Sequence, residues 1–176
     1  MKPTLIVLSG PPASGKSALA RRLAARHGYV HLEMDAVRLR LLPGSNSTRE
    51  NRVLAYRAMH QSAELLLDRG VTVVADASYG HAEDRTDARR AAGAAGAGFA
   101  LVEVTLPLDL ALGRCRARRS RHPGDDLTDE RVTELVTTFP YTGEGLTLDG
   151  ALPMPERVDL VERYLGIKLR TKPAKP

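Results

Sequence analysis

The sequence contains almost no cysteine and no long apolar run. Cys115 is the single cysteine among 176 residues, which excludes an internal disulfide and a metal cluster built on cysteines. No apolar stretch approaches the roughly 20 residues that a membrane-spanning helix needs. We therefore expect a soluble protein of the cytoplasm that has no membrane partner, with Cys115 as a packing residue.

Other patterns are missing too. The five histidines have no spacing typical of a metal site, which favours surface or structural roles for them. No internal repeat or linker stands out, and the N-terminal "MKPTLIVLSG" leads into glycines instead of a cleavage site, so it is expected to be a buried strand. We expect one domain over residues 1–168 and a basic tail over 169–176, and no obligate protein partner is evident.

The positive charge has two interpretations. A net charge of +5, mostly from arginine, suits polyanions such as nucleic acid or nucleotide phosphates. Alanine and arginine are abundant throughout the chain, however, so overall composition explains the excess equally well. Charge alone leaves nucleic acid open as a partner.

Apolar runs of strand length alternate with longer stretches of helical period. This order predicts a parallel sheet covered by helices on both faces. The predicted strands cover residues 4–9, 29–34, 71–76, 99–107 and 146–150. The predicted helices cover residues 17–27, 35–42, 48–69, 81–97, 108–119, 128–138 and 155–165.

The segment "GPPASGKS" carries the strongest functional signal. Gly10, Gly15, Lys16 and Ser17 meet the pattern of a phosphate-binding loop between a strand and a helix. Glycines let successive N–H groups point at an anion, the lysine reaches the terminal phosphates, and the Ser17 hydroxyl binds Mg²⁺. The residues expected to bind a nucleoside triphosphate here are Gly10, Ala13, Ser14, Gly15, Lys16, Ser17 and Ala18.

Two carboxylates follow predicted strands, where ligands of parallel sheets gather. Asp76 closes "VTVVAD" and is placed to support Mg²⁺, while Asp35 could receive the proton of an attacking hydroxyl, with Arg38 one helical turn further on. The alternative is structural: either aspartate could cap a helix or turn, and Asp35 would be a good N-cap. Further candidates at the same edge of the predicted sheet are Ser78, Tyr79 and His81.

An arginine cluster lies in "GRCRARRSRH". Its members are Arg114, Arg116, Arg118, Arg119 and Arg121. Arg114 and Arg118 share a helix face, which suits a lid whose positive charges stabilise a transferring phosphoryl group. A solvated basic helix surface is the alternative. The following "HPGDD" is expected to be a hinge.

Taken in this order, these segments resemble the small P-loop kinases. The resemblance is to the polynucleotide 5′-hydroxyl kinase group and its zeta-toxin and chloramphenicol-phosphotransferase-like relatives. "GPPASGKS" is similar to their phosphate loop, "MDAVR" to their Asp-x-x-Arg element, "VVADASY" to their second acidic strand end, and "GRCRARR" to their lid, here about residues 114–128.

The resemblance implies a three-layer α/β P-loop NTPase fold with a five-stranded parallel sheet in the order 2-3-1-4-5. It implies ATP with Mg²⁺ as the donor, held by Ser17 and Asp76 at the metal and by Arg114 at the nucleotide. It also implies that Lys16, Asp35, Arg38 and Arg118 carry catalysis, with Asp35 as general base and Arg38 as a ligand of the acceptor.

The acceptor stays open at the level of sequence. A nucleic-acid 5′-hydroxyl and the hydroxyl of a small metabolite or antibiotic both fit, as does a toxin-like kinase of a cell-wall sugar nucleotide. The acceptor pocket is expected mainly from residues 36–62 and 78–90. A rival from another class is a nucleotide-dependent switch that hydrolyses ATP slowly and has no acceptor.

Overall fold

A computed structural model describes residues 2–119 and 127–167. Its strands are β1 (Thr4–Ser9), β2 (Val30–Glu33), β3 (Val73–Asp76), β4 (Gly98–Thr105) and β5 (Leu146–Asp149). Its helices are α1 (Lys16–His27), α2 (Met34–Leu41), α3 (Arg49–Asp68), α4 (Ala82–Ala94), α5 (Leu108–Arg119), α6 (Asp129–Thr137) and α7 (Met154–Tyr164). The expected hinge at 122–126, Arg121 and the tail at 169–176 lie outside the described residues.

The five strands form one parallel sheet in the order β2-β3-β1-β4-β5, which confirms the expected fold class. β1 lies in the middle and is buried on both faces, so its apolar residues run on without alternation. Leu5 and Val7 pack under α3 and α4, while Ile6 and Leu8 pack under α1 and α7. Three layers result, with one apolar core on each side of the sheet.

Element ends differ from the predictions where glycine and cap geometry intervene. The helix expected at 81–97 ends at Ala94, because Gly96 adopts a left-handed φ of 56° and turns the chain toward β4. Asp35 is not an N-cap: Glu33 occupies the cap position of α2 and Asp35 lies in the first turn. The alternative interpretation of Asp35 as the N-cap of this helix is therefore wrong.

Parallel strands bring their carboxyl ends to one edge of the sheet. Ser9, Glu33, Asp76, Thr105 and Asp149 all end strands there. Helices α5 and α6 pack together beside the same edge around a small apolar cluster that includes the buried Cys115. Within the described residues, no helix has both the length and the apolar character needed to cross a bilayer.

Candidate active site

The phosphate loop depends on backbone conformations that side chains disfavour. Gly10 has a φ of 150°, and a Cβ there would stand 2.5 Å from the carbonyl oxygen of Val104. Gly15 has a φ of 91° and directly precedes α1. The amide of Gly10 donates to the carbonyl of Ser78 at 3.1 Å, which fastens the start of the loop to the end of β3. Only glycine combines these angles with such close backbone approach.

Lys16 is folded back onto the loop. Its Nζ donates to the carbonyl of Pro11 at 2.8 Å and to Ser14 Oγ at 3.2 Å. Burial lowers the pKa of Lys16 to about 8, opposed by the negative charges of Asp76 and Asp35, which raise it. Lys16 and the two carboxylates predicted for catalysis thus share one cleft. A bound phosphate would favour the charged ammonium.

Asp76 ends β3 beside Glu33 of β2, and the two are paired in the sheet register. Asp76 is 3% exposed, and its Oδ2 lies 3.4 Å from Nε2 of His31, yet neither buried atom makes a hydrogen bond. Ligand atoms of His31, Glu33 and Asp76 all lie within 4.8 Å of one another, which is an arrangement able to hold a metal ion. Sequence spacing could not indicate this group, because adjacent strands bring together residues that are far apart in sequence.

Asp35 and Arg38 lie one turn apart on α2. Arg38 Nε is 3.3 Å from Asp35 Oδ1, and Arg38 Nη1 donates to the carbonyl of Ser45 at 2.6 Å. Arg38 is 8% exposed, whereas the Asp35 side chain is 54% exposed. Asp35 is thus an accessible carboxylate whose orientation is set by a buried guanidinium, as a proton acceptor for an incoming hydroxyl requires.

Two arginines lie on the far side of the phosphate loop. Arg114 of α5 donates to the carbonyl of Ala13 at 3.1 Å and to that of Gly150 at 3.0 Å. Arg157 of α7 is buried, and its Nε and Nη1 have no hydrogen-bond partner. Burial lowers the pKa of Arg157, and the positive charge of Arg114 lowers it further. Two guanidinium groups beside such a loop, of which that of Arg157 has unpartnered nitrogens, suit an anionic ligand.

Of the remaining arginines of the lid, the structure describes the side chains of Arg116 and Arg118. Arg116 Nε donates to Asp129 Oδ2 at 2.7 Å, which joins α5 to α6. Arg118 is exposed on the same face of α5 as Arg114, four residues further on. Its catalytic assignment stays a prediction, and no side-chain position is described for Arg119.

A polar stripe on α3 supports the segment after β3. Arg52, Tyr56 and His60 follow one another at intervals of four residues and so lie on one face of the helix. Arg52 Nη2 donates to Ser78 Oγ at 2.6 Å, the amide of Tyr79 donates to Tyr56 Oη at 2.9 Å, and His60 Nε2 lies 3.1 Å from Tyr79 Oη. Tyr79 is fully buried with a left-handed φ of 50°, a conformation that this network maintains.

The structure gathers most of the residues predicted from sequence. The loop with Lys16 and Ser17, together with Asp35, Arg38, Asp76, Ser78 and Arg114, lies at one edge of the sheet. His81 is exposed at the start of α4 and Ala18 is exposed on α1. Site residues missed by sequence reasoning are His31, Glu33, Arg52, Tyr56, Gly150 and Arg157. A sequence pattern could have indicated two of them, since Glu33 lies near the end of a predicted strand and Arg52 begins a polar stripe on an amphipathic helix. No sequence pattern indicates Arg157.

Comparison with known families gives a match over most of the chain. A family model described as an AAA domain matches residues 5–140. The chain is 36% identical over 114 residues to the adenylyl-sulfate kinase of Myxococcus xanthus, covering 62% of each protein. It is 33% identical over 117 residues to the adenylate kinase of a Caulobacter species, covering 66% of this chain and 54% of that enzyme. The chain thus spans about three fifths or less of the length of these curated relatives.

Solved structures share the fold at lower identity. The APS kinase of Mycobacterium tuberculosis, solved with AMPPNP and APS, superposes with a TM-score of 0.74 at 22% identity. The superposition covers 94% of this chain and 98% of that one. The architecture described above is therefore that of P-loop kinases. These comparisons do not single out the polynucleotide kinase, zeta-toxin and chloramphenicol-phosphotransferase-like group, which stays a prediction.

Proposed function

Because the chain belongs to the AAA domain family and has the fold of P-loop kinases, we propose that it is an ATP-dependent kinase that phosphorylates a hydroxyl group. One observation carries the proposal. Lys16 of the phosphate loop lies in the electrostatic reach of both Asp35 and Asp76, at the carboxyl ends of adjoining strands. A loop that only binds nucleotide has no need of an accessible carboxylate aimed at the same cleft.

The donor is ATP, bound along the phosphate loop. The amides of the loop and the start of α1 surround the phosphates, and Lys16 reaches the terminal ones. Arg114 and Arg157 flank the loop on the side of α5 and α7, where their charges favour the nucleotide. The residues proposed to bind it are Gly10, Ala13, Ser14, Gly15, Lys16, Ser17, Ala18 and Arg114.

The side chains beside the phosphate loop are suited to binding a divalent cation. Asp76 has a buried carboxylate oxygen without a hydrogen-bond partner, and Ser17 lies in the first turn of α1 behind Lys16. We assign Mg²⁺ to Ser17 and Asp76. When bound, it would neutralise negative charge on the β- and γ-phosphates.

Asp35 removes the proton in the transfer step. The acceptor hydroxyl approaches the γ-phosphorus, its proton passes to Asp35, and the new oxygen–phosphorus bond forms as the bond to the β,γ-bridging oxygen breaks. ADP then leaves with the electron pair of the broken bond. Arg38 holds Asp35 in place and orients the acceptor, and Lys16 with Arg118 stabilises the charge on the transferring group.

Two matched variants test this assignment. We expect Asp35→Asn to keep ATP binding and lower transfer at least 100-fold, since it removes only the proton acceptor. Lys16→Ala should weaken both binding and transfer. Transfer of label from γ-labelled ATP is measured with Mg²⁺, a 5′-hydroxyl oligonucleotide and a panel of small metabolites and antibiotics. Asp35→Glu is the conservative control. Release of phosphate with no labelled acceptor, unchanged in Asp35→Asn, would favour the nucleotide-dependent switch.

The acceptor panel also addresses the narrower assignment. Label on the oligonucleotide would support a polynucleotide 5′-hydroxyl kinase, and label on a small molecule would support a metabolite or antibiotic kinase. Label on a cell-wall sugar nucleotide, with toxicity in cells, would support a toxin-like kinase. A cytoplasmic location, where ATP is abundant, and action without an obligate protein partner complete the proposal.

A further inference from the structure

Arg52 lies at the edge of the catalytic cleft. Its Nη2 donates to Ser78 Oγ at 2.6 Å, and its Nη1 lies 3.4 Å from Ser47 Oγ. The carbonyl of Ser78 in turn accepts from the amide of Gly10, the first residue of the phosphate loop. The guanidinium of Arg52 is thus two hydrogen bonds away from the loop that holds the donor.

The partners of Arg52 differ from those of the neighbouring arginines. Arg49, on the same helix, makes a bidentate ion pair with Asp84 at 2.9 and 3.2 Å. Arg38 is paired with Asp35. Across residues 2–119 and 127–167, Arg52 contacts hydroxyl groups and pairs with no carboxylate. A half-buried cation whose fixed partners are only neutral hydroxyls retains capacity for an anion.

The charge of Arg52 acts on the catalytic centre. It lowers the pKa of Lys16, whereas Asp35 and Asp76 raise it, and Arg52 and the phosphate loop both bind Ser78. Arg52 approaches this cleft from α3, and Arg114 and Arg157 approach the phosphate loop from α5 and α7. The position of Arg52 therefore corresponds to the acceptor side of the cleft.

The surroundings of Arg52 are held rigidly. Tyr56, one turn along α3, lies with its Oη 3.3 Å from Ser78 Oγ and accepts a hydrogen bond from the Tyr79 amide. Buried His60 and Tyr79 continue the same network. A fixed hydroxyl beside a guanidinium gives a preorganised site, which lowers the entropic cost of binding.

We propose that Arg52 binds an anionic group of the phosphoryl acceptor, so that the substrate is a small hydroxyl compound that also carries a carboxylate, phosphate or sulfate. This inference rests on the proposed kinase function. A planar guanidinium binds such oxygens in a bidentate manner and would fix the distance between the anion and the reacting hydroxyl. Arg52 is then a specificity-determining residue that acts in binding the acceptor and takes no part in proton transfer.

One available cation favours a small acceptor over a nucleic-acid strand. A strand presents phosphates at every nucleotide, and proteins that bind it meet them with several cations along a groove. Among the described arginines beside the segment after β3, Arg38 is paired with Asp35 and Arg85 donates to the carbonyl of Tyr79, which leaves Arg52, bound only to hydroxyl groups, for the anion. That number suits a compound with a single anionic group.

Anion binding can be measured without catalysis. The full chain is saturated with AMPPNP and Mg²⁺ to fill the phosphate loop, and the thermal midpoint is followed as sodium sulfate replaces sodium chloride at constant ionic strength. We expect sulfate to raise the midpoint of the parent protein and of Arg57→Gln, an exposed arginine on the same helix. Arg52→Gln should lose that increment. An unchanged sulfate increment in Arg52→Gln would overturn the proposal whether or not the protein is a kinase.

The kinetic test uses acceptors matched in size. Gluconate is compared with glucitol, and glycerol 3-phosphate with glycerol, each with γ-labelled ATP. For the anionic member of an active pair, Arg52→Gln should raise KM about 10- to 100-fold with a smaller change in kcat, and Arg52→Lys should recover part of the loss. If Arg52→Gln does not fold, Arg52→Met retains the packing of the stem and replaces it in both tests.

The remaining outcomes separate this proposal from the kinase assignment. Transfer to neutral acceptors alone, at a rate that Arg52→Gln does not change, would support the kinase assignment and overturn the proposal of an anionic acceptor. Label on the oligonucleotide that depends on Arg52 would assign the anion to a backbone phosphate and overturn the small acceptor. A sulfate increment that depends on Arg52, in a protein that phosphorylates nothing in the panel, would support the anion site and count against the kinase.

Discussion

Gly15 lies so close to Arg157 that a Cβ at position 15 would stand 2.7 Å from Nη1 of the arginine. The same Cβ would be 3.9 Å from Nη1 of Arg114. Two guanidinium groups therefore converge on the glycine that precedes α1, although they come from two separate helices, α5 and α7. Mutual repulsion and burial both disfavour the charge of Arg157, and a bound polyphosphate would relieve this.

Replacement of Arg157 should affect stability and nucleotide binding in opposite directions. We expect Arg157→Met to weaken ATP binding about 10-fold or more, because a charge beside the phosphates is lost. The free energy of unfolding without nucleotide should rise by about 1 kcal/mol, since two buried unpaired nitrogens disappear. Calorimetric titration and urea unfolding measure the two effects. Arg163→Met, an exposed position on the same helix, should change neither, and equal losses in both measurements would contradict the expectation.

ATP binding should be accompanied by proton uptake near pH 8. Free Lys16 has its pKa lowered to about 8, so it is about half protonated there, and bound phosphates raise that pKa. Uptake should approach half a proton at pH 8 and vanish near pH 6.5, where Lys16 is already charged. Affinity should then fall as pH rises through 8. Calorimetry in buffers of different ionisation enthalpy measures the uptake. The same uptake in Lys16→Met would assign it to another group.

The pKa of Lys16 also predicts a pH dependence of stability. The pKa is lower in the folded state than the ordinary 10.5, so the unfolded chain binds more protons between pH 8 and about 10.5. The penalty for burying the charged amine is therefore present below pH 8 and is relieved as pH rises through that window. Relative to Lys16→Met, the parent protein should gain stability between pH 8 and 10. Urea unfolding at several pH values measures this. A loss of stability by the parent protein, relative to Lys16→Met, as pH rises from 8 to 10 would contradict the prediction.

A methyl group at position 150 should disrupt the phosphate loop. A Cβ on Gly150 would stand 2.6 Å from the carbonyl oxygen of Ser14 and 2.7 Å from that of Thr105. These backbone atoms cannot move without displacing the loop or β4, so Gly150→Ala should cost about 2 kcal/mol or more and weaken ATP binding. Gly93→Ala is the control: it lies in α4 with open space around it and should stabilise by about 0.5–1 kcal/mol. Normal ATP binding by Gly150→Ala would show that the loop tolerates the contact.

Glu162 should anchor α1 to α7. Its carboxylate is fully buried and lies 2.8 Å from Nε of Arg26 and 2.6 Å from Nε2 of His27. Glu162→Gln weakens both contacts and should lower the free energy of unfolding by about 1–3 kcal/mol, less than for a fully buried pair because Arg26 is partly exposed. Glu156→Gln, exposed on the same helix, should be neutral in urea unfolding. Equal effects of the two substitutions would argue against a specific anchor.

Local patterns were sufficient wherever one physical rule dominated. The strand at Thr4–Ser9 and the helix at Leu108–Arg119 have the predicted bounds, because a continuous apolar run marks a central strand and a helical period marks a helix. Helix ends next to glycine were less accurate, as at Ala94, because either Gly93 or Gly96 could end the helix.

The sequence by itself determined the layered parallel fold and the phosphate loop, since periodicity and glycine spacing act over short stretches of chain. Only the tertiary structure decided what surrounds the loop. His31 meets Asp76 because β2 and β3 are neighbours, and Arg157 meets Gly15 because α7 packs beside α1. Such contacts join residues tens to more than a hundred positions apart. Their geometry depends on the whole sheet, and no local pattern encodes it.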